Sequence, residues 1–345
     1  MQPVAPNLGA CPDCGADQIA GALACPQCHR LVHGDALRDL ASAADQATKS
    51  GDSSAALGAW RSALVLLPPR SKQYLQVLAK VQALSRAVEA GTDAPAPKAT
   101  PGPDRKKPLA AGATGLALLV WKFKFAIAFV LTKGKLLLLG FTKIGTVLSM
   151  LLSLGFYASA FGWKFALGLV LSIYVHEMGH VTALKKYGIA ASAPMFIPGL
   201  GALVRLKQYP VNAVEDARVG LAGPIYGLGA ALAAALLAWG TGYEVLFAIA
   251  KMGAWINIFN LVPIWQLDGG RAFRALDKKQ RWIAVAAVGA IWFVSGESIL
   301  VLLVLGGAFR AFEKNAPAEG DRRTLLHYVT VTAILAALCG LAVRT

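Results

Sequence analysis

A mainly α fold, a polytopic membrane helix bundle, is what this sequence predicts, and three observations predict it. Of its 345 residues, 56% are hydrophobic, more than an ordinary water-soluble domain carries. Apolar runs recur from residue 144 to the end at about 144–162, 163–184, 216–239, 244–264, 282–294, 297–312 and 324–343, which gives six or seven crossings. Basic residues gather at alternate turns: Lys185, Lys186, Arg271, Arg274, Arg310 and Arg323 fall on one side, whereas the turns at 240–243 and 295–297 carry no Lys or Arg. That is the positive-inside pattern, from which only Lys164 departs. It accounts for the formal charge of +15 as membrane flanks, so nucleic acid is not an expected partner. No apolar run follows Met1, so no cleavable signal peptide is expected. The expected location is therefore a cell membrane of bacterial type, crossed several times, with the N-terminus cytosolic.

Before the spans lies an accessory region. Cys11-Pro-Asp-Cys14 and Cys25-Pro-Gln-Cys28, ten residues apart, read as the two knuckles of a zinc ribbon over residues 1–34. Four thiolates fill a tetrahedral shell and leave no open position for chemistry, so this zinc would be structural. His29 and His33 read as surface histidines. Residues 35–90 form a soluble helical region: Leu37, Leu40, Ala44 and Ala47 recur at helical spacing, as do Ala56, Trp60, Ala63 and Leu64. The second set has the spacing of one degenerate tetratricopeptide unit. A lone unit cannot bury its own face, so it should pack on a neighbour or a cytosolic protein partner. Residues 91–108 are a Pro-rich basic linker. Residues 109–143 are apolar but interrupted by Lys122, Lys124, Lys133 and Lys135, which favours an interfacial segment with snorkelling lysines over a span. Residues 144–345 are the membrane core. Within it, 189–210 is not expected to cross; its apolar stretches on either side of Pro198-Gly-Leu-Gly201 read as a small membrane-associated β-hairpin or a re-entrant loop.

The chemistry starts at His176-Glu-Met-Gly-His180, an H-E-x-x-H pattern inside an apolar run. On a helix the two histidines are one turn apart on one face and can reach a single metal ion, with Glu177 beside them. An acidic residue at the centre of a membrane helix costs roughly 2.5–3.5 kcal/mol on insertion scales, so Glu177 calls for a function. At ~1.5 Å per residue back from Lys185, the ion would lie roughly 8–14 Å below the cytosolic surface. Two histidines leave a catalytic zinc one protein ligand short. Asp268, three residues before Arg271, falls at the same depth on the same side. Pro263 breaks the helix before it and Gly269-Gly270 lets the backbone approach closely. Asp268 could instead cap the start of a cytosolic helix. Gly223 and Gly227 fit a small-xxx-small pattern of close helix packing.

H-E-M-G-H on one span and Asn260-Leu-Val-Pro-Ile-Trp-Gln-Leu-Asp268-Gly-Gly on a later one together resemble the site-2 protease family of intramembrane zinc metalloproteases, whose paired pattern is H-E-x-x-H plus N-x-x-P-x-x-x-L-D-G. The resemblance covers roughly residues 144–312. It implies that His176, His180 and Asp268 hold a catalytic Zn²⁺, that Glu177 is the general base, and that Asn260 orients the substrate backbone or its oxyanion. It also implies a membrane-embedded strand edge near the metal that takes transmembrane substrates in extended form. The expected activity is hydrolysis within transmembrane segments of other membrane proteins, with the lipid bilayer as surroundings. A metal transporter and a catalytically silent scaffold are the alternatives. The transporter should spread its ligands over several spans, and the scaffold should lack a ligand or the base.

Overall fold

The computed structural model describes residues 10–90, 144–199, 201–204, 206 and 208–340. The linker and interfacial segment expected at 91–108 and 109–143 lie outside them. The architecture is mainly helical. Three helices come first, α1 (Gly34–Lys49), α2 (Ser53–Val65) and α3 (Lys72–Ala90), followed by α4 (Ile144–Phe161) and α5 (Trp163–Lys186). A two-stranded sheet, β1 (Met195–Ile197) and β2 (Gly201–Leu203), precedes α6 (Ala213–Thr241), α7 (Glu244–Asn260), α8 (Asp268–Arg274), α9 (Lys278–Ser295), α10 (Leu300–Phe312) and α11 (Arg322–Cys339). Among the described residues, α5 and α6 are long and apolar enough to cross a membrane; α4 and α10 are apolar but shorter.

Local chemistry sets the boundaries that matter for the site. Gly162, with φ of +79°, separates α4 from α5. Lys185 and Lys186 end α5, where cations suit the helix dipole. The Asn212 side chain caps α6 by accepting from the Glu215 N–H at 2.8 Å, and Glu215 and Asp216 put negative charge in its first turn. Helix α7 stops at Asn260, three residues before Pro263, so the chain turns and restarts as the short α8.

Three apolar clusters hold these elements among the described residues, a small one joining α4, α5 and β1 around Leu169, Ile173 and Phe196 and two larger ones. The largest packs α6, α7, α8, α10 and α11 around Leu221, Ala250, Ile258, Phe273, Leu303 and Tyr328. The run Ala231, Ala234, Ala235 and Ala238 on α6 keeps the helices close, and the Tyr328 hydroxyl donates to the Leu261 carbonyl at 2.9 Å. Outward, α4 exposes Leu148, Leu151 and Phe156, α6 exposes Leu236, Leu237 and Trp239, and α10 exposes Leu305 and Phe309.

The second core joins the accessory helices to the rest of the chain. Leu57, Trp60, Val81 and Val88 pack with Leu184, Tyr187, Ile189 and Val219. The neighbour on which these helices pack is thus the end of this chain's own α5 and the start of α6. Polar contacts fix the junction. Arg61 of α2 and Glu215 of α6 form an ion pair with side chains 3% and 0% exposed. Arg61 also donates from Nε to the Tyr187 carbonyl at 2.9 Å and from Nη1 to the Tyr209 carbonyl at 3.3 Å. Arg218 bridges Glu89 of α3 and Asp321, each at 2.9 Å.

The sheet is an antiparallel hairpin in which Met195 faces Leu203 and Ile197 faces Gly201. The Phe196 N–H donates to Ser149 Oγ of α4 at 3.2 Å, so β1 lies against α4 and the second edge of β2 is unpaired among the described residues. Residues 195–197 and 201–203 thus form the hairpin that is one of the two readings of 189–210.

Candidate active site

His176 and His180 stand one turn apart on α5, and Asp268 reaches them from the first turn of α8. His176 Nε2 lies 3.2 Å from His180 Nε2; Asp268 Oδ2 lies 3.2 Å from the first and 3.4 Å from the second. Tetrahedral zinc with nitrogen and oxygen ligands at roughly 2.0–2.2 Å keeps its donors roughly 3.3 Å apart or slightly more. The triangle has those dimensions. Asp268 does not act as a cap: the N-cap position is Leu267, and no side chain bonds the first turn.

The hydrogen bonds behind the imidazoles show what the triangle lacks. His180 Nδ1 lies 2.8 Å from the Val219 carbonyl, which can only accept, so Nδ1 carries the proton and Nε2 presents a lone pair. His176 Nδ1 lies 2.8 Å from Asn257 Oδ1, while Asn257 Nδ2 donates to the Gly253 carbonyl at 2.7 Å. The amide therefore turns its oxygen to His176, and this ring too presents a bare Nε2. As metal ligands both rings are neutral, and two lone pairs and a carboxylate oxygen would then meet with no hydrogen between them. All three residues are buried, and such a cluster of acceptors calls for a cation. These residues fit a divalent metal and could hold one.

Helix α6 offers no ligand of its own, yet it shapes the site. A Cβ on Gly223 would fall 2.3 Å from His180 Nε2 and 2.7 Å from His176 Nε2, and one on Gly227 would fall 2.1 Å from Asn257 Oδ1. The two glycines that the sequence presents as helix packing do lie where α6 meets α5 and α7, and the side chains they leave room for are those of the histidines and of Asn257. Asp216 accepts from Arg271 Nε at 2.9 Å and pairs with Arg274 at 3.3 Å, which ties α8, and so Asp268, to the same helix.

Glu177 is 6% exposed and lines two cavities. One, of about 680 Å³, is lined also by His176, His180, Asp268 and Asn260, by Ala202, Leu203 and Val204, and by Arg271 and Arg274. The other, of about 380 Å³, runs past His176 and Asn260 to Tyr157, Trp255 and Gly199. Asn260 thus shares both cavities with Glu177 but is not part of the donor triangle. Sequence reasoning missed Asn257; the available signal was a second amide in an apolar helix, three residues before the motif asparagine.

The four N-terminal cysteines form a separate cluster. Cys11 Sγ lies 3.7 Å from Cys28 Sγ, and Cys14 Sγ 3.6 Å from Cys25 Sγ, near the ~3.8 Å between sulfurs 2.3 Å from a tetrahedral zinc. Paired backbone turns build it: Gly15 N–H donates to the Cys11 carbonyl and His29 N–H to the Cys25 carbonyl. The N–H groups of Asp13 and Cys14 hold the Cys11 thiol down at about 6. The Arg30 N–H acts the same way on Cys28, but the neighbouring cysteines, Cys14 first, push it up to about 12. Thiolates this close ionise together only around a cation. His29 and His33 stand outside the cluster.

Comparison with known proteins agrees with this arrangement. Peptidase family M50 matches residues 164–243, the segment holding His176, Glu177 and His180 as well as Gly223 and Gly227. A zinc metalloprotease of Methanocaldococcus jannaschii is 27% identical over 145 residues, which is 40% of this chain. The chain spans 41% of the length of that relative. No solved structure matches. The histidine pair and the helix packed behind it both fall inside the matched segment, so it is over residues 164–243 that the chain is similar to peptidase family M50, the site-2 protease family.

Proposed function

We propose that this chain is an intramembrane zinc endopeptidase that hydrolyses peptide bonds within transmembrane segments of other membrane proteins, as in regulated intramembrane proteolysis. The observation that carries the reading is the meeting of His176 Nε2, His180 Nε2 and Asp268 Oδ2, with Glu177 in the same cavity. These three residues would hold the catalytic zinc, and Cys11, Cys14, Cys25 and Cys28 a structural one.

When bound, zinc supplies a Lewis acid that makes water nucleophilic near neutral pH. Glu177 takes the proton from that water and passes it to the departing amine. Asn260, at the wall of both cavities, holds the substrate backbone or its developing oxyanion. A helical substrate hides its amides in its own hydrogen bonds and must unwind to be cut. The unpaired edge of β2 borders the catalytic cavity and accepts the unwound segment as an added strand. Arg271 and Arg274, which line the same cavity, give water a polar surface along which to reach the site.

The apolar helices α4 to α7 and α9 to α11 lie in the bilayer with the N-terminus in the cytosol. Apolar side chains exposed in continuous bands on α4, α6 and α10 support this, since a water-soluble surface seldom carries such bands. Lys185, Lys186, Arg271 and Arg274 mark the cytosolic side.

The test is Glu177→Gln against a model transmembrane substrate. Cleavage should fall roughly 10²–10⁴-fold while zinc remains bound. Unchanged turnover would remove Glu177 as the base, and zinc uptake into liposomes without cleavage would favour a transporter.

A further inference from the structure

We infer that Asn257 is a positioning residue for the metal centre, and that Gly227 is a glycine because it must make room for it. The inference rests on the metalloprotease reading above, and its observations are separate from the family's ligand pattern. Asn257 is 2% exposed, on an otherwise apolar stretch of α7. Its amide has one arrangement that satisfies both ends: Nδ2 donates to the Gly253 carbonyl one turn back at 2.7 Å, and Oδ1 accepts from His176 Nδ1 at 2.8 Å. Flipping it would set two acceptors, Oδ1 and the Gly253 carbonyl, against each other. His176 is thereby kept as the tautomer whose Nε2 lone pair faces His180 and Asp268. His180 is held the same way by the Val219 carbonyl at 2.8 Å. One ligand is thus oriented by α6 and the other by α7.

The glycine follows from the same geometry. A Cβ at position 227 would lie 2.1 Å from Asn257 Oδ1 and 2.4 Å from Nδ2, so any larger residue there pushes the amide off His176. Gly229, two residues on, has nothing within 4 Å of the same point. A requirement of packing between α6 and α7 alone would not single out the amide in this way. The partner of a metal-bound histidine typically changes metal affinity 10- to 100-fold when removed, and that is the effect expected here.

The experiment is a zinc-chelator titration of the full chain in lipid nanodiscs, with a thiol probe reporting the four N-terminal cysteines separately. Asn257→Leu should weaken the core zinc 10- to 100-fold, and Asn257→Asp, which keeps the acceptor for His176 but sets its second oxygen against the Gly253 carbonyl, should lose clearly less than Asn257→Leu. Gly227→Ala should lose as much as Asn257→Leu, but cost little more when added to Asn257→Ala, which vacates the space; Gly229→Ala should change nothing. Wild-type zinc affinity in Asn257→Leu, equal losses in the Leu and Asp variants, or additive losses for Gly227→Ala and Asn257→Ala would each overturn the inference. If the wild-type core binds no zinc at all, it is the metalloprotease reading that fails.

Discussion

Cutting the ion pair between Arg61 and Glu215 should release the accessory helices from the catalytic core. Both side chains are almost fully buried, at 3% and 0% exposure. Arg61 also satisfies the Tyr187 and Tyr209 carbonyls, while Glu215 Oε2 accepts from the Val211 N–H at 3.1 Å. Burial pulls the Arg61 guanidinium below its ordinary pKa and Glu215 opposes the pull, as expected of a desolvated pair. Arg61→Met keeps much of the apolar stem but leaves Glu215 charged without a partner and two carbonyls without donors. Breaking such a pair costs roughly 3–5 kcal/mol, or about two to three and a half powers of ten in the docking equilibrium. The segment 187–212 is held by these bonds and carries the hairpin at the catalytic cavity, so its order should fall with the docking. The assay is hydrogen exchange across 187–212 together with limited proteolysis of α1–α3. Arg61→Met should accelerate both by at least tenfold. Arg61→Met combined with Glu215→Leu should recover most of the loss, because an apolar pair removes the stranded charge. If Arg61→Met leaves exchange and proteolysis unchanged, apolar packing alone holds the junction and the electrostatic reasoning is wrong.

Other outcomes follow from the same structure. Gly223→Ala would put a methyl within 2.3 Å of His180 Nε2; it should lower core zinc occupancy about tenfold or more by metal analysis, with the cysteine cluster still loaded. Burial alone would raise Asp321, but hydrogen bonds from Thr324 and the Arg218 guanidinium outweigh it and hold the carboxyl below its usual range. A carboxylate held low in the folded state stabilises fully above its unfolded value of about 3.9 and loses that contribution as pH falls through its folded value. The clasp of Arg218 between Glu89 and Asp321 should therefore loosen only below about pH 4, seen as proteolysis of α3 at acid pH, and Asp321→Asn should lower the stability of α3 already at pH 7.

The parts of this molecule that were legible in the sequence are those governed by local rules. The spacing of His176 and His180 needs only the pitch of a helix, and Cys11, Cys14, Cys25 and Cys28 need only the geometry of a thiolate knuckle. The hairpin announces itself through Pro198 and its flanking glycines. Asp268 could be paired with the histidines because, like them, it stands a few residues before a basic turn, and the structure brings it to them. What the sequence hid depends on contacts between distant segments. Asn257 lies 81 residues from His176, and no spacing rule joins α7 to α5; the usable signal was that a polar side chain among apolar neighbours in a helix needs a partner. Gly223 and Gly227 carry the pattern of helix packing, and nothing in sequence tells a neighbouring backbone from a neighbouring imidazole. Arg61 resembles any cation on an amphipathic helix until Glu215, 154 residues away, is brought to it.

The central claim is that α5 and α8 together hold one cation through His176, His180 and Asp268. Anomalous diffraction at the zinc absorption edge, from crystals of the full chain, tests it most directly. The account predicts a peak inside the triangle of His176 Nε2, His180 Nε2 and Asp268 Oδ2, apart from the one among the four cysteines. A peak at the cysteines alone, or a core peak from which Asp268 has turned away, would contradict it.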